Sequence, residues 1–433
     1  MGETNTDAAD QFNASISPEK LDEASPGLWQ RYRRLPRNVF AISLVSLLND
    51  ASSEIIYPLL PLFLAMTLGA SPLAIGLIEG AAESVSSLLK LFAGYFSDKR
   101  GRRKGMVVFG YALANFVRPL LAFATNWFQV LAIRLTDRVG KGIRSAPRDA
   151  MIADAVRVEE RGLAFGFHRA MDHAGAVIGP LLGYMLLLLF AHDKNAPTAG
   201  DYTRVFLIAS IPAFCAVMVA AFFVRETHAA KAAKINGVVT PAQLSLRGFD
   251  GNFKRFLVIL ALFTLSNSSD AFLLLRAREA GISVATIPLL WAALHVSKVL
   301  SSLFGGDLSD RVGRKRLIAS GWLLYALVYM GFAFVSSHGA AWALFLIYGI
   351  YFGLAEGAEK ALVADLVRPE QRGTAYGLYN LAFGITVFPA SLLMGGLWSL
   401  RGAQTAFLVS ASLGAISVLL LLIFVQVKRT SIA

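Results

Sequence analysis

The chain is poor in charge. Asp, Glu, Lys and Arg make up 16% of its 433 residues, against about 25% in an ordinary water-soluble domain. Such a deficit argues against water as the main solvent. Cysteine is nearly absent: Cys215 stands alone, so no intrachain disulfide holds the fold. No GxxxxGK[ST] loop occurs, which excludes ATP use through that phosphate cradle. There is no HExxH or GxSxG set either, so no zinc-peptidase or serine-hydrolase constellation is offered. Residues 1–36 lack an apolar core, and no secretory signal is expected there. They read as a disordered tail that ends in the basic, aromatic collar LWQRYRRLPRN.

What is present is hydrocarbon, in long runs. Hydrophobic residues form 55% of the chain. A membrane-spanning helix needs about 20 mostly apolar residues. Twelve stretches qualify, at roughly 39–66, 73–97, 106–125, 127–152, 163–190, 204–224, 255–280, 284–308, 317–336, 341–366, 373–398 and 403–427. The net charge of +12 would suit nucleic acid if it were spread over a surface, but it is not. The cations gather in even-numbered connections: KRGRRK (99–104), RVEER (157–161), RKR (314–316) and RPEQR (368–372). Odd-numbered connections such as AHDKNAPTAGDYT (191–203) and SSHG (336–339) are nearly free of Lys and Arg. This asymmetry predicts cytoplasmic even loops and cytoplasmic termini. It also removes nucleic acid as a partner and leaves the lipid bilayer. The longest polar segment between spans predicts a cytoplasmic linker at 225–254, dividing six-helix bundles at 37–224 and 255–428.

The two halves repeat. GYFSDKRGRRKGM (94–106) returns as GGDLSDRVGRKRLI (305–318), and VEERGLAFG (158–166) as PEQRGTAYG (369–377), at nearly the same offset. Duplication of a six-helix unit explains both matches. It also decides how to read IRLTDRVGKGIRSAPRD (133–149), which looks like a loop. At the repeat offset its cations Arg134, Arg138, Lys141, Arg144 and Arg148 align with Phe345, Gly349, Phe352, Ala355 and Glu359, inside a plainly apolar run. The stretch is therefore read as a span. At about 100° per residue its five cations share an arc of roughly 120°. That face must meet water or counter-charges, since a charge at mid-bilayer costs about 2.5–3.5 kcal/mol or more. Gly140, Gly142 and Pro147 are read as points of bending.

Counter-charges are available. Asp50, Ser53, Glu54 and Tyr57 fall on one face of span 1, and Glu79, Glu83, Ser86 and Lys90 on one face of span 2. His168, Arg169, Asp172 and His173 crowd span 5. The second half adds Asp270, His295, Lys298, Glu356, Glu359 and Lys360. About half are expected to be structural ion pairs. The remainder mark function, because intramembrane ionisable groups are costly to keep.

GYFSDKRGRRK and its second copy GDLSDRVGRKR resemble the signature loop between helices 2 and 3, and again between 8 and 9, of the major facilitator superfamily. The resemblance covers residues 37–428. RVGKG (138–142) is similar to the family's helix 4 pattern, with Lys141 where Gln is usual. GFHRAMDHAGAVIGPLLGY (166–184) resembles the helix 5 motif of its proton-coupled exporters. It keeps Gly175, Gly179, Pro180 and Gly183 as helix-packing residues, with Tyr184 where a last Gly is usual. The resemblance implies an all-α membrane fold of twelve helices in two pseudosymmetric bundles rocking around a central site. It implies cytoplasmic gates built from Gly94, Asp98, Gly101, Arg102 and Asp154 in one half, and from Gly306, Asp310, Gly313, Arg314 and Asp365 in the other. Asp98 would face the helix start near Gly373, and Asp310 the one near Gly162. Arg102 and Arg314 would pair with Asp154 and Asp365.

The expected function is secondary active transport, not enzymatic catalysis, with no cofactor and no resident metal. Arg134, Arg138, Lys141, Arg144, Tyr57 and His173 are the expected substrate contacts, and their cations favour a small anionic or zwitterionic solute. Asp50, Glu54, Glu79, Glu83 and Asp172 are the expected proton-coupling groups, since burial and nearby cations act on a carboxyl in opposite directions. The helix 5 resemblance points to export by antiport. Alternatives are proton-coupled uptake, export of a metal cation or chelate through Asp50, Glu54, Asp172 and His173, and a membrane sensor that transports nothing. A monomer in the inner (plasma) membrane of a bacterium is expected.

Overall fold

The computed structural model describes residues 33–100, 102–157, 160–226, 245–368 and 371–426, and those residues are helical almost throughout. α1 (Arg37–Ile56) breaks at Pro58, which has no N–H to give, and resumes at Leu60–Leu62 and a π-turn at Phe63–Thr67. α2 (Pro72–Arg100) starts with proline in its first turn, where no donor is needed, and Ser71 accepts from the Ala74 N–H. α3 (Lys104–Val117) tightens into a 3₁₀ segment, Arg118–Phe123. α4 (Trp127–Ala155), α5 (Arg161–Phe190) and α6 (Ala199–Phe222) complete the first half. Asn126 caps α4, and a Thr198–Asp201 capping box opens α6.

The second half begins with a broken helix, α7a (Gly251–Ser266) and α7b (Ala271–Glu279), separated by Asn267, Ser268, Ser269 and Asp270. α8 (Ile287–Val312), α9 (Arg314–Phe334) and α10 (His338–Asp365) follow. The helical stretch Arg372–Phe424 is two helices, α11 (372–401) and α12 (403–424), parted at Gly402, whose φ of 83° suits only glycine. Gly313, at φ 94°, makes the equally tight turn between α8 and α9.

Ten helical segments among the described residues are long and apolar enough to cross a membrane, with α11 and α12 counted as one. α4 is not among the ten. Yet it runs unbroken for 29 residues, about 44 Å at 1.5 Å per residue, and packs between α2 and α3. With α11 and α12 separated, the spanning helices number twelve, and 127–155 is a span and not a loop.

The glycines of α4 differ in role from the bending read in the sequence. A Cβ on Gly140 would come within 2.5 Å of the Gly110 carbonyl oxygen of α3, and one on Gly142 within 2.6 Å of Leu89 Cβ of α2. They let three backbones close up, and the helix continues through Pro147. α5 meets α1 by the same device. A Cβ on Gly175 would fall 2.6 Å from the Leu47 carbonyl and 3.0 Å from Asp50 Cβ. On Gly179 it would fall 2.5 Å from the Ala51 carbonyl and 2.8 Å from Glu54 Cβ. Gly179→Val is therefore expected to destabilise the folded protein by about 1–3 kcal/mol, the usual cost of overpacking. A thermal melt in detergent checks this; an unchanged midpoint would show that α1 and α5 have room to separate.

The halves touch along α2 with α11 and along α5 with α8. The hydrogen bonds that join them start near the cation-poor loops. The Leu73 N–H donates to Ser399 Oγ at 3.2 Å, the Ala285 N–H to the Lys194 carbonyl at 3.0 Å, and Arg278 to the Asn195 carbonyl at 3.3 Å. Deeper, Ser84 donates to the Gly384 carbonyl at 2.5 Å and Trp291 Nε1 to Glu54 at 2.8 Å. This seam runs from one end of the bundle to about the middle of α1 and α2.

Candidate functional site at the interface of the two halves

A cavity of about 420 Å³ lies between the halves. From the first half it is lined by Tyr57, Glu79, Glu83 and Arg138. The second half gives the α7 break at Asn267–Asp270, the α10 residues Tyr348, Tyr351, Phe352, Glu356, Glu359 and Lys360, and the α11 residues Tyr379, Asn380 and Phe383. A larger hollow of about 670 Å³ opens between α8 and α10, lined by residues such as Val296, Leu300, Leu346 and Ile350. Among the described residues no ionisable side chain lines it.

The cation stripe of α4 is divided among different neighbours. Arg134 gives two hydrogen bonds to Glu79, at 2.7 and 2.9 Å, and both side chains are buried. Arg144 is buried with its guanidinium 4.3 Å from the ring centre of Tyr111 on α3, on the far edge of the arc. Arg148 donates to Ser46 at 3.1 Å and pairs with Asp149 at 2.9 Å. Arg138 is the member of the stripe that lines the cavity, and among the described residues its guanidinium makes no hydrogen bond; its Nε is buried without one. Glu83 lies within electrostatic reach of Arg138, Lys141 and Lys90. Of the expected substrate contacts, Arg134 is thus occupied by Glu79, and Arg144 lies on the Tyr111 ring away from the cavity, its Nη1 buried without a hydrogen bond, while Arg138 is left facing the space.

The expected carboxylates also separate. Glu79 is committed to Arg134. Glu54, on α1, meets the other half: it accepts from Trp291 Nε1, and His295 Nε2 is 4.0 Å away. Asp50 accepts from the Asn49 side chain at 2.9 Å. Asp172 faces His168 at 3.6 Å, and Asp50 and Arg148 are its electrostatic neighbours. His173 is exposed on α5. Tyr57 lines the cavity, its ring 5.2 Å from that of Trp291 and 5.7 Å from the Arg134 guanidinium. Among the described residues no three His, Cys, Asp or Glu side chains form a metal-holding group, and Asp50, Glu54, Asp172 and His173 do not converge on one point.

One gate pairing is corrected. Asp154 takes Arg103, not Arg102, as its ion-pair partner, and Arg102 is exposed. Neighbouring helix-start residues point about 100° apart. Here the Arg103 N–H also donates to Glu226 at 2.8 Å, which fixes that residue on the inner side. Arg314 pairs with Asp365. Gly94 is within van der Waals reach of Ala146 on α4. Gly101 lies outside the described residues; Asp98, Gly306 and Asp310, with the helix starts Gly162 and Gly373, stand on described helices, but their side chains are not among those described.

Several site residues escaped the sequence reading. Arg118 pairs with Asp137 at 2.8 Å, both buried, and gives Ser52 a hydrogen bond of 2.9 Å. Glu359, named in the sequence only among the second half's charges, accepts from Trp322 at 2.7 Å and Tyr379 at 2.8 Å. The α7 break was not anticipated, although four consecutive polar residues inside an apolar run signal one. Non-helical backbone at membrane depth is tolerated where it lines a cavity. The cavity is also not the cation-rich chamber that the α4 stripe suggested. Five carboxylates line it, against Arg138 and Lys360.

A family model described as Major Facilitator Superfamily matches residues 42–276 and 255–432. An uncharacterized MFS-type transporter of Methanocaldococcus jannaschii is 36% identical over 396 residues, which is 90% of this chain and 95% of that protein. A homolog of the multi-drug resistance efflux pump PmrA, from Lactococcus lactis, is 28% identical over 313 residues, 70% of this chain and 73% of its own. Among solved structures, a bacterial homolog of the human lysosomal transporter Spinster, inward-facing and occupied, superposes with a TM-score of 0.71. Its identity is 16%, and the match covers 89% of this chain and 95% of that one.

Proposed function

The chain belongs to the major facilitator superfamily, and on that premise we propose that it is a secondary active transporter that moves a small charged solute through the cavity between its halves. The observation that carries the reading is Arg138: a cavity-lining guanidinium, in a membrane span, with no hydrogen bond among the described residues. A half-buried cation left in that state inside a membrane span is poised for a ligand. Arg138 supplies an anion contact, and the carboxylates around it make a zwitterion a better fit than a simple anion. Tyr57 is assigned a supporting role at the same wall, and Lys141, which does not line the cavity, one behind it as a neighbour of Glu83.

Energy is assigned to protons, carried on Glu54 with Asp50 and Asp172 behind it. Protonating Glu79 would break a buried ion pair, whereas protonated Glu54 can still accept from the Trp291 indole, through a neutral and weaker hydrogen bond. Glu54 also spans the seam, so its state bears directly on whether α1 holds α8. The seam occupies the side of the cation-poor loops. With the positive loops and both termini in the cytoplasm, this arrangement corresponds to a carrier closed outside and facing inward. Asp98 and Asp310 keep their proposed part as helix-capping gates on the cytoplasmic side. Export is the favoured direction, supported by the helix 5 motif and by the efflux pump homolog of Lactococcus lactis. The proposed setting is the plasma membrane.

Counterflow in proteoliposomes tests the reading. Vesicles preloaded with candidate amino acids, amines, organic acids and metal chelates are given trace labelled solute outside. Transient accumulation of unaltered label against its gradient is expected for one class. Chemical change of the solute would indicate an enzyme. Absence of exchange for every class, in vesicles shown to hold folded protein, would overturn the assignment.

A further inference from the structure

The corner of the cavity beside the α7 break is not explained by an anion site. There Asp270 Oδ1 accepts a hydrogen bond of 2.8 Å from the buried phenol of Tyr348. The second oxygen, Oδ2, has Lys298 of α8 at 3.9 Å, beyond the usual hydrogen-bond range of about 2.7–3.2 Å. The Lys298 ammonium sits 3.5 Å from the ring centre of Phe352 and 5.7 Å from that of Trp291. A carboxylate with aromatic faces around it is the arrangement that binds substituted ammonium ions. Here the occupant is the protein's own lysine, and it is held loosely: it has three N–H donors, and none of them donates a hydrogen bond among the described residues. Asp270, Tyr348 and Phe352 line the cavity, whereas Lys298 itself stands behind them. The same cavity reaches Arg138 on the opposite wall.

Resting on the transport reading, we infer that this corner is an ammonium subsite, so that the transported solute is a zwitterion with its anionic group on Arg138 and its cationic group on Asp270. Lys298 is a resident placeholder. It neutralises Asp270 in the empty carrier and gives way when a substrate ammonium enters. Glu356 and Glu54 are the other carboxylates within electrostatic reach of Lys298, and they receive it when displaced. A bound cation thereby shifts a lysine toward the Glu54–Trp291 contact at the seam.

The test is chemical rescue on the purified full chain in detergent, which needs neither a known substrate nor transport. Lys298→Ala removes the placeholder and leaves Asp270 without a counter-ion. Millimolar n-butylammonium is expected to raise the variant's melting midpoint saturably, by about 1–2 °C, whereas n-butanol leaves it unchanged. The parent, with its corner occupied, should respond far less. Adding Asp270→Asn should abolish the rescue. If Lys298→Ala does not accumulate, Lys298→Gln keeps most of the volume and a neutral donor, and methylammonium is then the probe. No rescue in either variant, or equal rescue in the presence of Asp270→Asn, overturns the subsite. Failure of counterflow with intact rescue would instead count against transport and leave the ammonium site standing.

Discussion

Glu54→Gln will uncouple the carrier from the proton gradient. The amide keeps an oxygen that accepts from Trp291 Nε1, a contact of 2.8 Å in the parent, so the α1–α8 seam is preserved while the titrating group is gone. In proteoliposomes, solute exchange across equal concentrations should survive. Accumulation driven by an imposed pH gradient should fall to the level of vesicles without a gradient. Trp291→Phe is the companion variant. It removes the donor, keeps a ring against Tyr57, and should retain coupling with a weaker seam. A Glu54→Gln protein that still accumulates solute in response to a pH gradient would take the proton off Glu54. If Asp50→Asn gave the same result, α1 would have no part in coupling.

How much of this was visible before folding depends on the distance over which each feature is encoded. Span number, the two halves and loop polarity are local properties of runs and of loop charge, and the linear chain displays them. α4 is an exception: its charges defeat a hydropathy criterion, and alignment with the apolar segment of the second half, together with the loop-charge asymmetry, marks 127–152 as a span. Arg314 with Asp365 was legible through the family resemblance, but most other ion-pair partners were not, because they depend on which helix stands beside which and on rotation about each axis. Asp137 and Arg138 are adjacent in sequence, yet one turns to Arg118, at the start of the 3₁₀ segment after α3, and the other to the cavity. Arg102 and Arg103 differ in the same way. The α4 stripe was correctly seen as a face needing counter-charge, but a 120° arc on a packed helix touches several neighbours, and they claimed Arg134, Arg144 and Arg148. The aromatic wall from α10 was hidden for a related reason. Tyr348, Tyr351 and Phe352 look like ordinary apolar filling until the α7 break opens space in front of them.

Arg134 and Arg138 sit one helical turn apart, and their variants should fail in opposite ways. Arg134 and Glu79 are both buried and joined by hydrogen bonds of 2.7 and 2.9 Å. Arg134→Met strands the Glu79 carboxylate and should cost about 3–5 kcal/mol, seen as loss of folded protein after extraction. The double replacement Arg134→Met with Glu79→Leu removes both charges and should recover most of that loss. Arg138→Lys, by contrast, keeps a positive charge near Glu83 and should fold normally. It loses the planar fork that grips an anionic group in two places. Binding of the solute identified by counterflow should weaken at least tenfold, about 1.4 kcal/mol. Arg148→Lys, anchored on Ser46 and Asp149 away from the cavity lining, is the control and should bind nearly as the parent does. If Arg138→Lys binds like the parent while folding normally, the unpaired guanidinium is not the anion contact. If the Arg134 and Glu79 double variant folds but cannot bind, Arg134 belongs to the site after all. Only the combination of a folded, binding-competent double variant and a folded, binding-impaired Arg138→Lys supports the division of the α4 stripe into one residue that meets substrate and neighbours that hold the bundle.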